Sequence, residues 1–340
     1  MENNKSQINI AVVGAGYWGP NFIRNFYQLD NVKVAAVCDK NQARLDFVKK
    51  LYPAVKTTVD FNEVLNNPAI QAVVIALPTE LHYEFAKKTL QAKKHVLLEK
   101  PMTSNSEQAK ELIKLARDQK MILMVDHTFI YYGPVLKIKE IIESGELGKI
   151  YYFDSQRINL GLVRRDVNVI WDLACHDISI MDFLIKENPI SVSASGTSHI
   201  GSGQEELAHL TIKYEKGLSC HCHVSWLSPV KIRQISIGGT KKMVYFDDIE
   251  PSEKIKIYDR GIQADFSKET PSEPIYRLGE VRIPVFDQGE ALLKECRHFI
   301  ECIKNQKTPL TDGESGLRVI KILEACGRSL KEKGREAPLI

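Results

Sequence analysis

The stretch Ile10-Ala-Val-Val-Gly14-Ala-Gly16-Tyr-Trp-Gly19 constrains this chain more than any other. Ile10 to Val13 are small or β-branched, as in a strand buried on both faces. A Gly-x-Gly-x-x-Gly turn follows, then a helical pattern in which Trp18, Phe22, Ile23, Phe26 and Leu29 fall on one side. Pro20 suits only the first turn of such a helix, where a missing N–H costs nothing. Glycines in this setting let the chain turn tightly and bring backbone N–H groups against a pyrophosphate at a helix N-terminus. A second apolar strand, Val32 to Val37, ends in Cys38-Asp39, and Asp39 lies 20 residues beyond Gly19. A carboxylate there accepts hydrogen bonds from an adenosine ribose and repels a 2′-phosphate, which favours NAD over NADP.

The rest of the first half repeats the same grammar. Helices are expected over Asn41–Leu51, from Asp60 to Leu65, over Glu80–Gln91 and over Ser106–Gln119. Strands are expected over Ile70–Leu77, His95–Leu98 and Met121–Val125. Alternation at this spacing means an α/β, doubly wound parallel sheet, whose ligands bind beyond the carboxyl ends of the strands. Asp39, Pro78-Thr79, Glu99-Lys100 and Asp126-His127 all occupy such ends.

After Gly145-Glu-Leu-Gly148 the pattern changes. Strands are expected over 149–158, 190–197, 206–214, 218–226, 231–238 and 241–247, interrupted by a helix over 173–185 and followed by helices over 290–305 and 314–331. Ala208, Leu210, Ile212 and Tyr214 share one face, so this sheet is covered on one side only. Gly261 to Pro274 reads as polar loop. The expectation is a dinucleotide-binding domain over residues 1–126 and an α+β domain over 127–340, built on a large, mostly antiparallel open sheet. At 340 residues the chain is too long for one ordinary core.

Composition narrows the function classes. A net charge of +3 gives no electrostatic case for nucleic acid or an anionic membrane. No apolar run approaches the ~20 residues that span a bilayer. Seven cysteines without Cys-x-x-Cys argue against a disulfide framework and for the cytoplasm.

Three stretches offer chemistry. In Glu99-Lys100-Pro101, proline biases Lys100 toward extended backbone, and a strand-end lysine can bind a substrate oxygen or take its proton. In Trp171-Asp172-Leu-Ala-Cys-His176-Asp177, Asp172 reads as an N-cap that leaves His176 in the first helical turn. There the partial positive charge of the helix end disfavours imidazolium and keeps a base available. In Cys220-His221-Cys222-His223, alternation on a strand gives a His pair and a Cys pair on opposite faces. Neither has the further ligands a tetrahedral metal site needs, so no metal is expected.

Taken in order, Gly14-Ala-Gly16-Tyr-Trp-Gly19, Pro78-Thr79-Glu-Leu-His82, Glu99-Lys100-Pro101 and Asp172-x-x-x-His176 resemble the glucose–fructose oxidoreductase/inositol dehydrogenase (Gfo/Idh/MocA) family, from about Ile8 to about Leu330. The resemblance implies a Rossmann domain joined to a sheet domain that mediates a homodimer or homotetramer. It also implies nicotinamide-dependent oxidation or reduction at a sugar CH–OH. Lys100 carries over as the motif lysine, with Asp172 and His176 as the acid/base pair. The expected cofactor set is Gly14, Gly16, Tyr17, Trp18, Gly19, Asp39, Leu77, Pro78, Thr79, His82, Glu99 and Lys100. Asn168 to Asp177 is similar to the branch that oxidises C3 of UDP-linked N-acetylhexosamines. For that small-molecule substrate the expected contacts are Lys100, His127, Arg157, Asn168, Trp171, Asp172 and His176, with Arg157, Arg164 and Arg165 able to hold a diphosphate bidentately. The rival readings are oxidation of a free sugar or inositol, a metal-assisted dehydrogenase, and an NAD-binding sensor, which would need none of Lys100, Asp172 and His176.

Overall fold

The computed structural model describes residues 7–161, 163–201, 203–263 and 273–339. In chain order the first elements are β1 (Ile8–Val13), α1 (Gly19–Tyr27), β2 (Val32–Cys38), α2 (Gln42–Leu51), β3 (Lys56–Thr58) and α3 (Phe61–Leu65). β4 (Ala72–Ile75), α4 (Thr79–Gln91), β5 (His95–Glu99), α5 (Ser106–Gln119) and β6 (Leu123–Asp126) follow. Then come α6 (Gly133–Glu143), β7 (Ile150–Leu160), α7 (Cys175–Leu184), β8 (Pro189–Thr197), β9 (Leu207–Tyr214) and β10 (Ser219–Ser225). The chain ends with β11 (Leu227–Gly239), β12 (Met243–Asp247), β13 (Ile255–Gln263), β14 (Ile275–Arg282), α8 (Ala291–Asn305), α9 (Gly313–Lys331) and β15 (Ala337–Pro338). Two compact units result: Met1–Tyr131 with Gly289–Ile320, and Tyr132–Gln288 with Lys321–Ile340.

The first unit is an all-parallel sheet in the order β3-β2-β1-β4-β5-β6. Every residue of β4 and β5 is buried, which is why their sequences run apolar rather than alternating. Strand order reverses between β1 and β4, and a crevice at such a switch point is where doubly wound sheets take ligands. Side chains cap three of the helices here. Asn41 accepts from Ala43 and Arg44, Asp60 from Asn62, and Asn105 from Gln108, so each orphan-amide end is partly satisfied. No side chain caps α1, and proline occupies its first turn, so its amide end is of the kind that takes an anion. α8 belongs to this unit because the Arg24 fork grips Glu290, at 3.0 and 2.5 Å, while Phe26 meets Phe299 edge to face.

The second unit carries a nine-stranded sheet, β14-β13-β12-β11-β7-β10-β9-β8-β15, antiparallel except where β10 runs parallel to β7. Burial alternates as expected along β9, with Ala208, Leu210, Ile212 and Tyr214 inward. Cys220 and Cys222 of β10 are likewise inward, which puts His221 and His223 on the open face. Sequence pattern does not anticipate α6, which opens on Gly133-Pro134, or the three-residue β3. Nor does it anticipate β13 and β14. Of the expected loop, Gly261 to Gln263 complete β13, while residues 264–272 lie outside the described residues. Among the described residues no helix is long and apolar enough to cross a membrane.

Candidate active site

The glycine turn of the first unit is built as a dinucleotide cradle requires. Gly14 sits at φ +95°, and a Cβ there would strike the Ala76 carbonyl oxygen. A Cβ on Gly19 would strike the Gly14 carbonyl, so the helix can close on the strand only without one. A Cβ on Gly16 would meet only the Arg44 guanidinium, at an ordinary contact distance of 3.6 Å. That pattern fits a bound pyrophosphate: two glycines are demanded by backbone contact, and the third leaves room for a ligand. Tyr17 is 85% exposed and stands edge-on to Trp18.

Asp39 ends β2 with its carboxylate already ordered. One oxygen accepts from the Ala15 N–H (2.7 Å), the other from the Asn41 N–H (2.8 Å), and Arg44 approaches at 3.5 Å. The aspartate therefore fastens the glycine turn. Pro78 precedes α4 with no side-chain cap, and Thr79 is buried. His82, expected on the cofactor side, is buried instead between two turns. Its ring nitrogens lie 2.8 Å from the carbonyl oxygens of Pro101 and Leu77, and burial holds its pKa below the usual histidine range. It ties the turn after β4 to the turn after β5.

Lys100 follows directly on β5 and is half-buried. Glu99 points inward, 7% exposed, and burial pushes its carboxyl well above the usual range, with Asp126 adding to the effect. His127, just past β6, is buried with neither ring nitrogen hydrogen-bonded among the described residues; burial, then the Lys100 charge, pushes it down to about 3. It is a neutral imidazole beside a lysine.

In the second unit the Asp172 segment differs from its expected geometry. Ile170–Ala174 form a wide π turn that runs into α7, so the backbone cap of α7 is Ala174. Asp172 is not the cap residue of either element. Its Oδ2 accepts from the Trp226 indole N–H at 3.0 Å, and Oδ1 lies 3.6 Å from Arg164. The capping falls to Asn168, whose Oδ1 accepts from the Trp171 N–H while its amide donates to Glu205. The helix begins a turn earlier than expected, which moves the cap by four residues. His176 does lie in the first turn of α7. Trp226, the residue that fixes Asp172, follows β10 and carries no local sequence signal of that task.

Arg157 is also reassigned. Its fork is closed on Asp177, at 3.0 and 2.9 Å, with both side chains buried, so it does not offer itself to a diphosphate. Arg164 is half-exposed and paired bidentately with Asp166, and Arg165 is exposed. On the open sheet face His221 bonds Asp154 at 2.7 Å, and His223 stacks on His209, rings 4.2 Å apart.

Residues 8–127 match the oxidoreductase family with an NAD-binding Rossmann fold, and residues 135–245 match the GFO/IDH/MocA C-terminal domain. The chain belongs to the GFO/IDH/MocA family. This family member is 23% identical to the myo-inositol 2-dehydrogenase of Thermotoga maritima, over 96% of the chain and 97% of that protein. It is 26% identical to the NADP(+)-dependent scyllo-inositol 2-dehydrogenase IolW of Bacillus subtilis, over 96% and 94%. In fold it resembles the UDP-N-acetylglucosamine 3-dehydrogenase GnnA of Acidithiobacillus ferrooxidans, with a TM-score of 0.81 at 21% identity over 97% and 99% of the two chains.

Proposed function

We propose that this GFO/IDH/MocA oxidoreductase oxidises a sugar hydroxyl with NAD, and that the sugar is a UDP-linked N-acetylhexosamine oxidised at C3. One observation supports the reading: Lys100 directly follows β5, His176 lies in the first turn of α7, and Trp226 holds Asp172 within the π turn that runs into that helix. The bound nicotinamide supplies the hydride acceptor. Lys100 stabilises negative charge developing on the sugar oxygen, and His176 takes the hydroxyl proton. Asp172, held by Trp226, orients that base or stabilises its charged form. His127 and Trp171 are assigned to the sugar, and Asn168 to the turn that presents it. With the Arg157 fork committed to Asp177 and the Arg164 fork paired with Asp166, the exposed Arg165 is the guanidinium of the three assigned to the diphosphate.

The nucleotide-sugar choice rests on the Asn168–Asp177 segment and on the name of the GnnA neighbour. Inositol dehydrogenases that align over nearly the whole chain favour the second reading, a free cyclitol or sugar. A spectrophotometric screen of NAD and NADP reduction against free sugars, inositols and UDP-sugars separates them. Reduction only with UDP-N-acetylhexosamines is expected, and turnover confined to inositols would replace the first reading by the second.

NAD is expected to bind more tightly than NADP, because the buried Asp39 carboxylate repels a 2′-phosphate. Arg44 is its competitor, at 3.5 Å from that carboxylate and half-exposed. Fluorescence titrations of both cofactors measure the balance, and equal or tighter NADP binding would mean that Arg44 prevails.

The open face of the nine-stranded sheet is proposed to bring subunits together as a homodimer or homotetramer, since the described residues give it no second covering layer. Sedimentation at micromolar concentration should give a dimer or larger, and a monomer alone would exclude this.

A further inference from the structure

The π turn that carries Asp172 is held from outside by one dipeptide, Glu205-Glu206, which lies just ahead of β9. Glu205 grips two successive residues at the entrance to the turn. Its Oε2 accepts from the Asn168 amide at 2.9 Å, and its carbonyl oxygen accepts from the Val169 N–H at 3.0 Å. Asn168 passes that hold on. Its Oδ1 accepts from the Trp171 N–H at 3.2 Å, and its carbonyl oxygen from the Asp172 N–H at 3.1 Å. Glu206 supports the other anchor of Asp172. Its carbonyl oxygen accepts from the Trp226 backbone N–H at 2.9 Å, and the Trp226 indole N–H reaches Asp172. Glu206 is itself buried, its carboxylate accepting from the His199 N–H at 2.6 Å, so the dipeptide is fixed in turn.

π turns are rare backbone forms, found mostly where function needs them, and here the surroundings supply the fastening. The chemistry of Asn168 explains why an acid does it. An asparagine amide offers an acceptor at one end and donors at the other, in nearly the same shape. A carboxylate accepts only, so it draws the NH2 group to itself and leaves Oδ1 for the Trp171 N–H. Gly196 of β8 makes room for this contact, since a Cβ there would come within 2.8 Å of the Glu205 Cγ.

We propose that Glu205 is a positioning residue for the acid/base pair: it sets the Asn168 amide, and through that turn the places of Asp172 and His176. The π turn runs directly into α7, where His176 is the second residue, so a displaced turn carries both groups with it. This role rests on the reading above that Asp172 and His176 act on the sugar hydroxyl, and adds the residue that fixes them from 37 positions beyond Asn168.

Glu205→Met keeps the side-chain length and removes the acceptor, whereas Glu205→Gln keeps an acceptor oxygen. With UDP-N-acetylglucosamine and NAD, Glu205→Met should lower kcat by about 10–100-fold while KM stays within about threefold, as a small misplacement of reacting groups does. Glu205→Gln should stay within about threefold of the parent in both. In an Asn168→Ala background, Glu205→Met should cost less than about twofold more, because it acts through that asparagine. A second readout needs no substrate. Isotopic labelling of the tryptophan nitrogens gives separate backbone signals for Trp18, Trp171 and Trp226. The Trp171 amide should exchange with solvent at least about tenfold faster in Glu205→Met, and near the parent rate in Glu205→Gln, with Trp18 unchanged in both. Unchanged Trp171 exchange in Glu205→Met, additive losses with Asn168→Ala, or equal losses in the Met and Gln variants would each overturn the proposal. A parent protein that oxidises no sugar would instead defeat the activity reading, and Trp171 exchange would still decide the hold of Glu205. Should Glu205→Met fail to fold, Gly196→Ala takes its place. The added methyl crowds the Glu205 side chain off Asn168, and parent kcat with parent Trp171 exchange there would overturn the proposal.

Discussion

Lys100→Met and His176→Asn should each lower turnover by about 10²–10⁴-fold, the range expected when a charge-stabilising donor or a general base is removed. Methionine keeps an unbranched side chain of similar length but no charge or donor, and asparagine removes the titratable ring. NAD affinity should change little in either, because the cradle of Gly14, Gly16 and Gly19 is set by backbone contacts around the glycine turn. Single-turnover hydride transfer, measured beside direct NAD binding, separates chemistry from binding. A variant that chiefly raises KM would mark a residue that holds ground and transition states alike. Parent rates in both variants would remove Lys100 and His176 from the mechanism.

Arg157→Met should be the most damaging single change to stability. It would strand the Asp177 carboxylate in the interior without its bidentate partner, and breaking a buried pair in this way costs about 3–5 kcal/mol. Urea unfolding of the variant measures the loss. Arg157→Met combined with Asp177→Leu should recover much of it, since no unpaired charge remains. A near-neutral single variant would mean that water reaches Asp177 and that the pair is not enclosed.

The sequence pattern disclosed most where a local rule had one solution. Buried β1 passing into a glycine turn and proline in the first turn of α1 are each readable from adjacent residues, and α5 spans the expected Ser106–Gln119. Asp172 shows the limit of that reasoning. Both Asn168 and Asp172 can cap a helix, and the choice is made by Trp226, 54 residues away, which claims the aspartate for its indole N–H. Arg157 shows the same limit, because nothing near it announces that Asp177 will close its fork. The return of Gly289–Ile320 to the first unit depends on the Arg24–Glu290 and Phe26–Phe299 contacts, and long-range contacts leave no periodicity behind. Glu205 stayed hidden for that reason. Just ahead of a strand a glutamate reads as solvated until its hold on Asn168, 37 residues back, is seen.

The proposed activity is tested most directly by following the hydrogen itself. UDP-N-acetylglucosamine deuterated at C3 should be incubated with the protein and NAD, and the reduced cofactor isolated. Deuterium recovered on the nicotinamide, together with a slowed single-turnover rate, is the predicted result. Unlabelled reduced cofactor would place the oxidised carbon elsewhere, and NAD that binds yet is reduced by no UDP-sugar, free sugar or inositol would contradict the dehydrogenase account.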